Sequence, residues 1–307
     1  MRLGFALPQL GPAAGPDALV AVAQRAEALG YDDLWVLDRV LWPIAPRAPY
    51  PAMPDGHLPD GYKRVLDPFE TLTFVAAHTS RIGLGTSVLN APYYNPVLLA
   101  RQLTSIDVLS KGRLRVGFGT GWSPDEYEAV GVPINERGKR ANELVQALKA
   151  IWTTDPVSFE GQYFRIAKSH IALKPVQKPH PPVYFAAYTP ATMRRVARIA
   201  DGWMPAGIPV EGMRQMFASI RQMAAEAGRD PGAVTMIVRA NVMFAGKPLA
   251  ADRGIFTGTP EQIQADIVAT RKLGAAGLLF DVQFSPGIAT TNAYIDKLEQ
   301  LLTLAQA

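Results

Sequence analysis

The same device, a capping side chain directly before a proline that opens a helical stretch, recurs along these 307 residues at Asp67-Pro68, Asn95-Pro96, Thr189-Pro190 and Thr259-Pro260. Each pair reads as a helix start, because the first side chain can cap free backbone N–H groups and proline fits a first-turn position that needs no donor. Glu70 stands where a capping box would close on Asp67. Short apolar runs alternate with the helices: Leu3 to Leu7, Leu34 to Leu37, 81–88, Leu114 to Phe118, Val183 to Ala187, Gly202 to Pro205, Val234 to Phe244 and Leu278 to Val282. Helical periodicity follows from Pro16, Pro68, Pro96, about Glu136, Pro190, about Val210, Pro260 and in the last stretch of the chain. Roughly eight strands alternating with roughly eight helices predict an α/β chain of the (β/α)8 TIM-barrel type. The alternative, an open sheet with helices on both faces, accounts for the count less well. Residues 1–307 are expected to form one domain, with a lid-like loop at 43–66 and an insertion at 153–181.

The run RIGLGTSVLN, from Arg81 to Asn90, is the strand most telling about function. Ile82, Leu84 and Val88 with Gly83 and Gly85 read as a strand buried on both faces, with glycines that admit close approach. Ligands of such folds gather where strands end, which selects Asp38, Ser87, Asn90, Gly119 to Asp125, Ala187 to Thr189, Asn241 and Asp281. The proline-rich stretch from Pro43 to Arg64 is too long for a simple connection and too apolar for a linker, so it reads as a lid or binding loop. Its Trp42, Tyr50, Met53 and Tyr62 suggest an apolar or aromatic substrate, with core packing as the competing use. Arg47, Lys63 and Arg64 could reach an anionic substrate or cofactor tail, or be solvated charge.

Several functions are disfavoured by composition. There is no cysteine, so disulfides, thiol nucleophiles and thiolate metal sites are excluded. His57, His78, His170 and His180 share no ligand spacing, so no metal is expected. The net charge of +4 comes from scattered basic residues, which does not make a nucleic-acid surface. No apolar segment is long enough to span a membrane and the start lacks a leader-like apolar region, so a cytoplasmic protein is expected.

Two loops carry more specific signals. In GFGTGW, Trp122 stands at the third glycine position of a dinucleotide fingerprint, so that reading fails. Gly121 and Trp122 instead fit a loop whose backbone approaches a planar or anionic ligand, or a glycine turn with a packing tryptophan. In AAYTPAT, residues Ala187, Tyr188 and Thr189 lead into a helix start whose free N–H groups could hold a phosphate. Asp38 and Arg39 close the second strand, where a simple ion pair is the competing reading.

Taken in order, the segments AEALGYDDLWVLDR, RIGLGTSVL followed by NP, GRLRVGFGTGW with DE, ERGKRANELVQALKAIW, FEGQYFRI, PVYFAAYTPAT and ADGW resemble the bacterial luciferase-like flavin and deazaflavin oxidoreductases over essentially the whole chain. Asp38 and the GTSVL strand are most similar to the subgroup that uses the deazaflavin coenzyme F420. The resemblance implies a ring system lying across the strand ends, with a non-prolyl cis peptide at Ser87-Val88 propping it from behind. It also implies Asp38 near the ring edge, Asn90, Gly121 and Trp122 near the cofactor side chain, and Ala187, Tyr188 and Thr189 near its phosphate. Two positions depart from the subgroup: Arg39 replaces a histidine, and Tyr188-Thr189 replace paired glycines.

The implied activity is hydride transfer between F420 and a small organic substrate under the long loop, with Asp38 and Arg39 polarising or protonating it. The alternative is an FMN-dependent monooxygenase that receives reduced flavin from a partner reductase. A third possibility, from a different class, is a barrel that binds flavin or another ligand without turnover. The resemblance also implies a homodimer.

Overall fold

The computed structural model describes residues 1–53 and 55–307. Eight parallel strands form its centre: β1 (Arg2–Ala6), β2 (Asp33–Val36), β3 (Gly83–Thr86), β4 (Leu114–Gly119), β5 (Val183–Phe185), β6 (Gly202–Trp203), β7 (Thr235–Asn241) and β8 (Gly277–Asp281). Each pairs with its neighbours in chain order, and β8 returns to β1 with Leu3 opposite Leu278. The sheet is therefore closed, as a (β/α)8 barrel requires, and the open-sheet alternative falls. Closure leaves no free edge between first and last strands.

Helices surround it: α1 (Pro16–Leu29), α2 (Pro68–His78), α3 (Pro96–Leu109), α4 (Pro124–Ala129), α5 (Arg137–Thr153), α6 (Pro190–Ile199), α7 (Val210–Glu226), α8 (Pro260–Lys272) and α9 (Thr291–Gln306). The four proline starts are all helix N-termini. Asp67 accepts from the N–H groups of Phe69 and Glu70, and Asn95 from those of Val97 and Leu98. Glu70 does not close the box expected on Asp67, whereas Thr189 with Thr192 and Thr259 with Gln262 do form capping boxes. Among the described residues, no helix is long and apolar enough to cross a membrane.

The two faces of the strands have different tasks. Outward residues such as Leu34, Leu84, Val116 and Val238 pack in the core beneath the helices. Inward residues fill the barrel in layers, because side chains alternate across a strand. At the lower end the Asp33 carboxylate accepts from Arg2 and from Arg115. Above it Trp35, 1% exposed, packs with Ala6, Tyr184, Met204, Ile237 and Leu279. The glycines of β3 follow from this filling: a Cβ on Gly83 would run into Asp33, and one on Gly85 into the Trp35 ring. Their close approach serves neighbouring side chains of β2.

Two segments depart from the alternation. The 153–181 insertion carries an antiparallel hairpin, Val157–Glu160 with Arg165–Ser169, whose turn donates three N–H groups to Glu143. The strand expected to run to Phe244 ends as β7 at Asn241. Met243–Phe244 then pairs with Thr257–Gly258 outside the barrel. At the upper end, fully buried Gln9 bonds both backbone groups of Leu37 and the carbonyl of Leu66. One side chain thus ties together the two ends of the long loop.

Candidate active site

The upper end of the barrel is where the strands deliver their C-terminal residues. β3 stops at Thr86, the Ser87-Val88 peptide bond is cis, and pairing resumes with Leu89–Asn90 beside Phe118 and Gly119. Val88 rests on the Trp35 layer, and a Cβ at Gly119 would sit 2.7 Å from its methyl group. The result is a small apolar floor next to backbone that carries no side chain.

Polar groups rim this floor. Asp38 is half-buried, and its Oδ2 accepts the Asn90 N–H at 3.0 Å and the Tyr94 hydroxyl at 2.9 Å. Burial pushes its carboxyl up to about 6; those two hydrogen bonds and Arg39 oppose the rise, and the charge of Glu126 adds to it. Gly121 has a left-handed backbone (φ 62°) and lies against Tyr93 and Asn90, where a Cβ would be 2.9 Å from the Tyr93 hydroxyl.

Arg39 turns into an aromatic cage. Its guanidinium carbon is 5.3 Å from the Tyr62 ring centre and 5.1 Å from that of Trp122. Its Nε is 3.3 Å from Oε1 of Glu126, whose side chain is 1% exposed. Glu126 also accepts from Val40 N–H, Leu41 N–H and the Tyr93 hydroxyl. It therefore fixes the chain leaving β2 to the loop after β4. Sequence reading took Glu126 only as the end of a matching segment; its place in the first turn of a capped helix was the available signal.

Arg239 is the second group that sequence reading missed. It donates to the Ser87 carbonyl and hydroxyl, to Oδ1 of Asn241 and to Asp281. It shares the inward parity of Ile237 in β7, two residues earlier, so it occupies the barrel one layer above the apolar filling. Asp281 and Asn241, both expected at strand ends, are brought together by this one guanidinium.

The remaining expectations divide. Tyr50 and Tyr62 join hydroxyls at 3.1 Å, Tyr50 lies 5.5 Å from Trp122 and Tyr62 5.0 Å from Phe284, so the loop lays its aromatic side on the barrel mouth. Trp42 is engaged within the loop instead, bonding the Leu58 carbonyl and stacking under Lys63. The loop cations are also occupied: Arg47 pairs with Asp125 and Glu128, Lys63 with Asp60, and Arg64 bonds the Ala14 carbonyl. Ala187, two residues past the end of β5, is fully buried in the core beneath the helices, and its carbonyl accepts from Trp203. Tyr188 is 54% exposed beside Thr189. The amides of Tyr188 and Thr189 both donate to the Thr192 hydroxyl, and the Thr192 amide donates to Thr189. Of the N–H groups expected to be free at this helix start, that of Thr192 is therefore capped by Thr189, and the two amides just before the helix are taken by Thr192.

Residues 1–256 match the luciferase-like monooxygenase family. This chain belongs to that family. Among its relatives is an uncharacterized protein of Mycobacterium tuberculosis, 36% identical over 212 residues, or 68% of this chain and 74% of that protein. An F420-dependent glucose-6-phosphate dehydrogenase of Kineococcus radiotolerans is 30% identical over 244 residues, 77% of this chain and 66% of that enzyme. An FMNH2-dependent dimethylsulfone monooxygenase of Pseudomonas putida is 34% identical over 155 residues, 50% of this chain and 42% of that enzyme. The fold is matched by the crystal structure of monooxygenase RslO1 from Streptomyces bottropensis, with a TM-score of 0.79 at 22% identity over 100% of this chain and 99% of that one. The luciferase-like family comprises oxidoreductases and monooxygenases, and these relatives include both F420-dependent and FMN-dependent enzymes.

Proposed function

We propose that this luciferase-like protein is an F420-dependent oxidoreductase acting on a small organic substrate held between the barrel mouth and the 43–66 loop. The observation that carries the reading is Asp38: a strand-end carboxyl pushed up to about 6 by burial, gripped by Asn90 and Tyr94 close to the apolar floor at Val88. The similarity to the F420-dependent relative also extends further, 244 residues against 155 for the FMN-dependent one.

The residues present suit a planar ring with a polar rim. Val88 and bare Gly119 would support its face, Ser87 and Asp38 would lie at its edge, and Asn90, Gly121 and Trp122 would border its side chain. Tyr188 and Thr189, at the exposed start of α6, would meet the phosphate. Bound there, F420 would supply a carbon that gives or takes a hydride. The chain's own chemical contribution is a proton on Asp38, whose carboxyl can be present in either form close to pH 6. The aromatic side of the loop, Tyr50 and Tyr62, keeps water from the mouth.

Fluorescence titrations of the purified apo-protein with F420 and with FMN test this reading. Tight F420 binding with weak FMN binding is expected. The reverse would replace it with an FMN-dependent monooxygenase served by a reductase, which the dimethylsulfone monooxygenase similarity supports. Binding of neither would favour a barrel without redox turnover.

A further inference from the structure

Among the described residues, two buried nitrogens of Arg39 have no hydrogen-bond partner. They are Nε and Nη2, on a side chain that is 6% exposed. Those two nitrogens form the side-on fork with which arginine grips a pair of oxygens, as Arg2 does on Asp33 in this same chain, at 2.9 Å for each bond. Glu126 comes within ion-pair range of Nε without hydrogen-bond alignment, and its oxygens already take Val40, Leu41 and Tyr93. Glu126 therefore balances the charge of Arg39 and leaves the two buried nitrogens without an aligned acceptor. Tyr62 and Trp122 lie over the guanidinium, which suits a flat group arriving at its edge.

The charge around the fork decides what that group is. Three carboxylates, Asp38, Glu126 and Asp281, accompany two guanidiniums, Arg39 and Arg239. Arg239 is engaged through all three of its nitrogens by Ser87, Asn241 and Asp281, and Arg47, Lys63 and Arg64 are tied elsewhere. A further anion would meet Glu126 in a poorly solvated wall where, among the described residues, the neighbouring cations Arg239, Arg47, Lys63 and Arg64 are already engaged.

We propose that Arg39 is a specificity-determining residue: its fork takes the oxygen of an uncharged carbonyl, ester or nitro group, and Glu126 beside it excludes carboxylates and phosphates. This rests on the barrel mouth being the substrate site, as proposed above. It also separates this chain from the relative named for glucose 6-phosphate, an anionic substrate.

The test is calorimetric titration of the apo-protein with acetophenone, benzoate and ethylbenzene, three probes of similar size that differ in oxygen and charge. Acetophenone is expected to bind at least tenfold more tightly than either of the others. Arg39→Met should erase the advantage of ketone over hydrocarbon, and Glu126→Gln should strengthen benzoate binding about tenfold, with circular dichroism checking that each variant is folded. Benzoate binding more tightly than acetophenone, no acetophenone binding, or unchanged discrimination in Arg39→Met would overturn the proposal. Should Arg39→Met fail to fold, an unchanged benzoate affinity in Glu126→Gln would overturn it as well. F420 titration of the wild-type protein keeps the two readings apart: ketone selectivity without F420 binding removes the cofactor assignment and leaves the specificity intact.

Discussion

Tyr94 donates a 2.9 Å hydrogen bond to Oδ2 of Asp38, the same oxygen that takes the Asn90 amide. Both donors favour the ionised carboxylate, against the burial that pushes this group up to about 6. Tyr94→Phe removes one of them and is expected to raise the Asp38 value further. Whichever limb of the pH–rate profile reports Asp38 should then move to higher pH, and an unmoved profile would take Asp38 out of the reaction.

The same shift predicts a stability effect. Asp38 has an ordinary value of 3.8 and a folded value of about 6, so between these the native state holds a proton that the unfolded chain releases. Its contribution therefore falls as pH rises through that window and levels off above it. Asp38→Asn cannot ionise, so its melting temperature relative to wild type should climb between pH 4 and pH 6.5. A flat difference across that range would contradict the assigned burial.

Arg239 pairs with an Asp281 side chain that is 1% exposed. Arg239→Met strands that carboxylate, which costs about 3–5 kcal/mol in comparable buried pairs. Asp281→Asn in the same chain should recover much of the loss, and urea denaturation of both singles and the double variant measures it. Additive losses would mean that the two side chains do not depend on each other.

Gly85 lies against the ring of Trp35 on the neighbouring strand. Gly85→Ala is expected to destabilise the barrel by about 1–3 kcal/mol through overpacking. Adding Trp35→Leu should relieve the collision, so that the double variant is less damaged than the sum of the singles in denaturant melts.

Gln9 makes three backbone hydrogen bonds that hold Leu37 and Leu66 together. Gln9→Leu leaves these buried groups unpaired, at about 1–3 kcal/mol for each one that finds no other partner. Limited proteolysis should then cut the variant within the 43–66 loop well before wild type. Equal cleavage rates would show that the loop is held by its aromatic side alone.

Much of this architecture is readable in one dimension because it rests on local chemistry. Asp67, Asn95, Thr189 and Thr259 mark helix starts whatever the fold around them, since a cap and a proline act within one turn. Asp38 and the Ser87-Val88 position could be singled out as strand ends for a similar reason. Side-chain direction was harder to read. Ala187, expected near a ligand from its place past a strand end, has its side chain packed in the core beneath the helices. Arg47 and Lys63 were candidates for an anionic partner, yet acids on α4 and within the loop had already engaged them.

The sequence by itself determined the alternation of strands and helices, the helix caps and the strand ends at which a site could form. Each of these depends on residues only a few positions apart. Only the tertiary structure decided which buried charges meet: Arg239 reaches Ser87 across 152 residues and Asp281 across 42. Glu126 likewise meets Val40 across 86. Such pairs exist because the barrel closes and brings its strand ends around one axis, and no local pattern records that a guanidinium on one strand will find a carboxylate on another.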